Sequence, residues 1–137
     1  MKPLSDRSLK MLEGVHPDMV KLVKLANIVY PLNVIEGKRT KERQAELMKS
    51  GATKTMNSLH CVEPLSLAVD IVPHDFDWKK PDSLVELRKC YYLAGVIASI
   101  AHFQNIGCRW GGDWDSDGDF ADQTFNDLVH FELKGVH

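Results

Sequence analysis

Two short apolar runs in this chain each contain a polar side chain that a buried strand tolerates poorly. Residues 67–72 are Leu-Ala-Val-Asp-Ile-Val, and residues 128–133 are Leu-Val-His-Phe-Glu-Leu. Near-continuous apolar runs of this length are typical of buried strands. A carboxylate without a partner in such a strand would be costly, because burial removes its hydration. Asp70 and His130 therefore indicate a functional site within the sheet rather than ordinary core positions.

Helical and strand-like patterns are intermixed along the rest of the chain. Ser5, Thr40 and Ser83 are favourable N-cap residues for the segments that follow them. The segment after Ser83 is apolar on most of its faces, which predicts a central position in the fold. Helices combined with a small antiparallel or mixed sheet predict an α+β domain. The predicted helices cover residues 5–12, 17–30, 41–48 and 84–104, and the predicted strands cover residues 32–35, 67–72, 108–110 and 129–133.

Length and composition limit what this chain can be. Its 137 residues predict a single domain, residues 1–137, with room for one hydrophobic core but not for two. The longest apolar stretch, residues 93–103, is too short to cross a bilayer, and no secretory signal is visible at the N-terminus. Three scattered cysteines predict a reducing compartment and no disulfide framework.

The net charge is −2, but the charges are unevenly distributed. Residues 1–60 hold 11 Lys and Arg against 6 Asp and Glu, whereas residues 61–137 hold 6 against 13. A basic half could bind an anionic polymer, although a solvated helical face explains it equally well. No motif that combines aromatic and basic residues accompanies it, so we predict no nucleic-acid partner.

Two histidines and one aspartate form a candidate metal site. His60, Asp70 and His130 would supply two imidazoles and one carboxylate, a donor set that suits zinc. Three protein ligands leave one coordination position open, as a catalytic zinc requires. Asp127, three residues before His130, provides a carboxylate that need not bind the metal. A chain with six histidines can contain such a trio by chance, so the hypothesis depends on its strand context.

A cluster of carboxylates precedes the last predicted strand. The segment Asp-Trp-Asp-Ser-Asp-Gly-Asp places oxygen donors at alternate positions, with Gly118 at the sixth, as at the start of a calcium loop. The twelfth position is Thr124 rather than glutamate, so the segment is not a regular EF-hand. Either a calcium site or a solvated acidic turn is compatible with this pattern. The candidate calcium ligands are Asp113, Asp115, Asp117, Asp119 and Asp122.

Three motifs follow one another in the chain: Ser58-x-His60, Ala68-x-Asp70, and Asp127-x-x-His130 followed by Phe-Glu-Leu. In this order they resemble the zinc D-alanyl-D-alanine carboxypeptidase and dipeptidase family, which has the Hedgehog-like peptidase fold. Two further segments resemble the phage endolysin branch of that family, whose members cleave the L-alanyl-D-glutamate bond of peptidoglycan. These segments are Arg39-Thr40 with Gln44, Leu47 and Gly51, and Trp110-Gly-Gly-Asp-Trp114. The resemblance covers roughly residues 8–133.

The resemblance implies a role for each of these residues. His60, Asp70 and His130 would bind zinc, Asp127 would be the general base, Arg39 would stabilise the transition state or hold a substrate carboxylate, and Ser58 would contact the substrate. Zinc would lower the pKa of its water towards ~7, and the base would carry the proton to the leaving amine. A surface salt bridge at Arg39 and a turn cap at Asp127 are the structural alternatives.

The spacing between the first two implied ligands departs from the family pattern. Relatives usually have six residues there, with a glycine in the middle, whereas this chain has nine, Cys61 to Val69, and no glycine. Glu63 and Cys61 therefore compete with Asp70 as the second ligand. We retain Asp70 because residues 66–72 keep the strand pattern, while Glu63 lies beside Pro64 in a predicted loop.

The resemblance thus implies a zinc metallopeptidase that cleaves peptidoglycan stem peptides, a phage endolysin that lyses the host cell. Its partner would be bacterial peptidoglycan, and the protein would be a monomer without membrane insertion. It would accumulate in the host cytoplasm and reach the wall through a membrane pore. Asp127 and the Trp110–Trp114 segment favour this endopeptidase over a D-alanyl-D-alanine carboxypeptidase or dipeptidase. Asp127 and Arg39 argue against the remaining alternative, a non-catalytic zinc-binding module of the same fold.

Overall fold

The computed structural model describes residues 2–52, 58–113, 116 and 127–135. Within these residues two helices come first, helices and strands are intermixed after them, and a 3-10 turn at Leu59–Cys61 precedes the second strand. The helices are α1 (Asp6–Met11), α2 (Pro17–Val29), α3 (Lys41–Lys49) and α4 (Leu84–Phe103). The strands are β1 (Leu32–Glu36), β2 (Ala68–Pro73), β3 (Cys108–Gly111) and β4 (Asp127–Leu133).

The predicted helix starts are confirmed by their capping hydrogen bonds. The hydroxyls of Ser5, Thr40 and Ser83 each accept a hydrogen bond from the backbone N–H three residues further on, which satisfies a donor that the helix itself leaves unpaired. His16 begins α2 in the same way, because its Nδ1 accepts the N–H of Asp18 at 3.1 Å. These local contacts fix where each helix begins.

The four described strands form one antiparallel sheet in the order β1-β2-β4-β3. The predicted α+β class is confirmed, and the sheet is antiparallel rather than mixed. In the register between β2 and β4, Asp70 lies opposite His130. In the register between β3 and β4, Arg109 lies opposite Glu132. An irregularity near the end of β1 brings Glu36 opposite Asp70, as a bulge that re-aims a side chain does.

One face of the sheet forms the hydrophobic core together with α2 and α4. Val69, Ile71 and Phe131 are fully buried on this face, and each such side chain contributes roughly 1.5–3 kcal/mol by its burial. Neighbouring residues of a strand project to opposite faces. Asp70 and His130 therefore lie on the face that does not pack against these two helices.

Helix α4 packs against α2 and against the strands β2, β3 and β4, and its buried residues lie along one side. Leu93, Ile97 and Ala101 face the core at helical spacing. Tyr92 and Phe103 lie on the outer side and are 58% and 84% exposed. Apolar composition alone did not reveal which side of the helix packs against the other described elements. Among the described residues, no helix combines the length and apolar character that crossing a membrane requires.

Candidate metal centre

The structure brings His60, Asp70 and His130 together as a compact group of possible metal ligands. Nε2 of His60 lies 3.2 Å from Oδ1 of Asp70, Nδ1 of His130 lies 3.3 Å from the same oxygen, and the two nitrogens are 3.3 Å apart. Tetrahedral zinc, with bonds of about 2.0–2.1 Å, holds its ligand atoms about 3.3–3.4 Å apart. The spacing and the donor types therefore fit a zinc ion.

His60 is held in place by its own turn and by the chain that follows β1. Its backbone N–H donates to the Ser58 hydroxyl at 3.1 Å, which starts the 3-10 turn. Its ring Nδ1 lies 2.8 Å from the carbonyl oxygen of Gly37. Since a carbonyl only accepts hydrogen bonds, this contact places the ring proton on Nδ1. Nε2 faces Asp70 and is the ring nitrogen left for a metal to bind.

In His130 the two ring nitrogens have exchanged places relative to His60, because its Nε2, rather than its Nδ1, contacts an oxygen outside the ligand group. Oε1 of Glu132 lies 2.8 Å from that nitrogen, so Nδ1 is the atom that faces Asp70. The second oxygen of Glu132 accepts hydrogen bonds from Nη2 and Nε of Arg109, at 2.6 and 3.1 Å. Glu132 belongs to the motif that carries the family resemblance, but the sequence assigned no function to it or to Arg109. The one sequence signal is that Glu132 follows His130 by two positions on one strand.

The electrostatics of the group favour a positive charge at its centre. Burial opposes ionisation of Asp70, but hydrogen bonds with His130 and His60 outweigh it and hold the pKa of this carboxyl well below its usual range. Burial also opposes ionisation of His130 and by itself would lower its pKa, but hydrogen bonds with Asp70 and Glu132 raise this pKa to about 9. The two carboxylates thus stabilise a cation at this place.

Asp127, the predicted general base, is the first residue of β4 and is half-buried. Burial and then the negative charge of Asp70 raise the pKa of its carboxyl, in the direction opposite to the shift of Asp70. Two carboxylates whose pKa values move apart are suited to different tasks, one staying ionised and one exchanging a proton. Because the charge of Asp70 contributes to this shift, Asp127 lies close enough to the candidate metal ligands to interact with them electrostatically.

The backbone of Gly111 lies very close to the backbone of Asp127, so a side chain at position 111 would push Asp127 away. A Cβ atom added to Gly111 would overlap the carbonyl oxygen of Asp127 and lie 3.0 Å from its Cβ. We therefore expect Gly111→Ala to displace Asp127 and lower turnover on the order of 10²-fold, the effect of a misplacement of roughly 1 Å. Zinc content should remain near that of the parent protein. Turnover and bound zinc, measured on the same preparation, check this.

Gly95→Ala is the matched control for that substitution. Gly95 lies on the exposed side of α4, and a Cβ atom there would meet no atom within 4 Å. Alanine is a better helix former than glycine by about 1 kcal/mol, so this variant should be at least as stable and as active as the parent. Equal activities of the two alanine variants would contradict the role given to Gly111.

Arg39, the predicted stabiliser of the transition state, is buried beside the candidate metal ligands. Its Nε donates to Glu36 at 3.1 Å and its Nη1 donates to Gln44 at 2.8 Å, while Nη2 is 3.7 Å from Oδ2 of Asp70. The alternative of a surface salt bridge therefore does not describe this residue, which is 9% exposed. Sequence reasoning missed that Glu36 and Gln44 hold Arg39. Its contact with a substrate, and that of Ser58, stay predictions.

The two rivals of Asp70 lie elsewhere. Glu63 projects outward, with 75% of its side chain exposed, and binds Lys38 at 2.6 Å. Cys61 is buried, but its sulfur lies 3.7 Å from the carbonyl oxygen of Thr40 rather than among the candidate ligands. Neither belongs to the ligand group found among the described residues.

The predicted calcium loop falls mostly outside the described residues. Asp115, Asp117, Asp119 and Asp122 are not among them, whereas Asp113 is. Asp113 donates its backbone N–H to the carbonyl oxygen of Trp110 at 3.0 Å, a turn contact that needs no ion. Calcium binding here stays a prediction.

Comparison with known proteins identifies similar sequences. A family model described as phage L-alanyl-D-glutamate peptidase matches residues 2–134 of this chain. The L-alanyl-D-glutamate peptidase of Escherichia phage T5 is 24% identical over 121 residues, which cover 85% of this chain and 84% of that protein. The L-alanyl-D-glutamate peptidase of Listeria phage A118 is 31% identical over 102 residues, which cover 74% of this chain but 31% of that protein.

The fold is also similar to a solved structure. The crystal structure of the L-Ala D-Glu endopeptidase ChiX from Serratia marcescens superimposes with a TM-score of 0.73 and 29% sequence identity. The superposition covers 96% of this chain and 90% of that chain. The sequence and the fold are therefore both similar to those of L-alanyl-D-glutamate peptidases.

Proposed function

Since this chain belongs to the phage L-alanyl-D-glutamate peptidase family, we propose that it hydrolyses the L-alanyl-D-glutamate bond of peptidoglycan stem peptides. We propose further that it does so as a zinc metallopeptidase and acts as a phage endolysin. Its partner is then the bacterial cell wall, which a phage enzyme made in the host cytoplasm reaches through a membrane pore. The monomeric state, the single catalytic domain and the calcium site remain part of this proposal.

The observation that carries the proposal is the triangle of donor atoms from His60, Asp70 and His130, with sides of 3.2–3.3 Å. Among the described residues this group has three members and no fourth. A structural zinc site is closed by four protein ligands, whereas a catalytic one keeps a position for water or substrate. The three-member group therefore supports catalysis rather than a purely structural use of the metal.

The residues of the chain supply the proton transfer and the charge stabilisation that hydrolysis needs. When bound by His60, Asp70 and His130, zinc supplies a Lewis acid and a water of lowered pKa. Asp127 accepts the proton of the attacking water on its carboxylate and donates it to the leaving amine nitrogen. Its raised pKa, caused first by burial and then by Asp70, brings it closer to the neutral range in which such transfer is efficient.

Arg39 and Ser58 are assigned to the substrate. A buried guanidinium with fixed partners is ready to donate hydrogen bonds where negative charge develops, without reorganising first. Nη2 of Arg39 is its nitrogen nearest to the candidate ligands. Ser58 lies one residue before the 3-10 turn that carries His60, so its hydroxyl is close to the reaction site even though it also accepts the His60 N–H.

Digestion of purified muropeptides, followed by mass analysis, tests the proposed function. We expect products split between L-alanine and D-glutamate, with the disaccharide retained on the L-alanine side. The parent protein should form them with added zinc, and a chelator should prevent their formation. Loss of a terminal D-alanine instead would support a carboxypeptidase, and an unchanged digest would support a non-catalytic module. Either of these results overturns the proposal.

A further inference from the structure

Both carboxylate oxygens of Glu132 make polar contacts, one with His130 and the other with Arg109. Oε1 contacts Nε2 of His130 at 2.8 Å, and Oε2 accepts two hydrogen bonds from Arg109. Glu132 is 5% exposed. A carboxylate at such depth is costly unless it is paired and hydrogen-bonded. The contacts with Arg109 and His130 offset this cost, and the contact with His130 connects Glu132 to the candidate metal ligands.

The contact with His130 has a direct chemical consequence. A neutral imidazole has one N–H and one unprotonated nitrogen. Because an ionised carboxylate only accepts hydrogen bonds, Glu132 fixes the ring proton on Nε2. A metal ion bound by His130 would therefore take the place of the proton on Nδ1, the atom that lies 3.3 Å from both Asp70 and His60. A hydrogen bond on one ring nitrogen thus decides whether the other can bind a metal.

Arg109 fixes the direction in which Glu132 points. Arg109 and Glu132 are directly opposed in the register of β3 and β4, and two guanidinium nitrogens donate to the same oxygen, Oε2. The other oxygen is therefore turned towards His130. The chain from Arg109 through Glu132 to His130 runs across two strands of the sheet, and strands position a site more rigidly than loops do.

We propose that Glu132, oriented by Arg109, is a positioning residue that aims His130 at the metal. This inference rests on the proposed function, because it assumes that the ligand group binds zinc. His60 depends on a neutral backbone carbonyl, that of Gly37, for the same purpose. A carboxylate also makes the imidazole a stronger donor, so metal affinity should depend on Glu132.

Glu132→Gln tests the proposal because the amide is not symmetric. Arg109 can only donate hydrogen bonds, so the oxygen of the introduced amide would turn towards Arg109 and its NH2 group towards His130. Nε2 would then have to accept, and the ring proton would move to Nδ1, the metal-binding atom. We expect the dissociation constant for zinc to rise by ~10–100-fold, measured by competition with a chromophoric chelator.

A second substitution should reverse part of this loss. In Glu132→Gln combined with Arg109→Met, no guanidinium holds the amide oxygen, so the amide can turn its oxygen towards Nε2 of His130. Zinc affinity should recover by about tenfold relative to the single variant. A purely structural ion pair predicts the reverse, because the double variant loses both charged partners. Glu63→Gln, a change on an exposed glutamate, should leave zinc affinity unaltered.

Nitrogen-15 NMR of the zinc-loaded parent protein supplies a measurement that needs no variant. His130 should carry its ring proton on Nε2 and His60 on Nδ1, so the two histidines should show opposite tautomers. A His130 ring protonated on Nδ1, a Glu132→Gln variant with parental zinc affinity, or a double variant no tighter than the single one would overturn the inference. A parent protein that binds no zinc would overturn the proposed function instead.

Discussion

Asp127→Asn should abolish peptide hydrolysis while leaving zinc binding intact. Asparagine keeps the size of the side chain and its capacity to accept hydrogen bonds, but its amide cannot take up the proton of the attacking water. Removal of a general base costs on the order of 10²–10⁴ in rate. Asp127 is not one of the three ligands in the candidate group, so bound zinc should match that of the parent protein.

The measurement is turnover of a muropeptide substrate alongside zinc content of the same sample. Asp75→Asn is the matched control, since Asp75 is half-exposed and pairs with Lys89 at 3.5 Å, and this variant should keep full activity. If Asp127→Asn retained more than about a tenth of parental turnover, a loss far smaller than a missing base causes, the assignment of Asp127 would fail.

His130→Ala should lose both the metal and the activity. The substitution removes one of three donors, and even partners that only orient a ligand change metal affinity by ~10–100-fold, so a larger loss is expected here. It also leaves Asp70 and Glu132 without a hydrogen-bond partner that they now share. A buried carboxylate that loses a partner destabilises a fold by roughly 1–3 kcal/mol, so the variant should also unfold at lower temperature.

Chelation separates the loss of metal from the loss of stability. The parent protein stripped of zinc should keep its circular dichroism spectrum, lose hydrolysis of muropeptides, and regain it when zinc is added back. The His130→Ala variant should not respond to added zinc. Full activity of a rigorously metal-free parent preparation would contradict the zinc mechanism.

The positions of two proposed ligands could be predicted because a polar side chain within an apolar strand is easily recognised in the sequence. Asp70 and His130 interrupt apolar strands, and this single pattern located two members of the group. The helix starts at Ser5, Thr40 and Ser83 could be predicted for a similar reason, since capping depends only on near neighbours in the chain.

The residues that hold the ligands could not be predicted, because their contacts depend on strand register. Glu132 meets Arg109 only through the pairing of β3 with β4, and Glu36 reaches the site only through an irregularity in β1. Gly37 contributes a carbonyl oxygen to His60, and a backbone atom leaves no signature in its residue type. Gly111 could not be interpreted either, since its role lies in the closeness of another strand.

The pairing of Asp70 with His130 across β2 and β4 also links alignment of the sheet to metal affinity. A slip of one residue between these strands would turn one of the two side chains to the other face, so only the native alignment can chelate an ion. A ligand that binds only the native state stabilises it, by about 2.7 kcal/mol when the free ion exceeds its dissociation constant 100-fold. Zinc would thus act as a clamp between chain segments 60 residues apart, selecting the correct alignment as the protein folds.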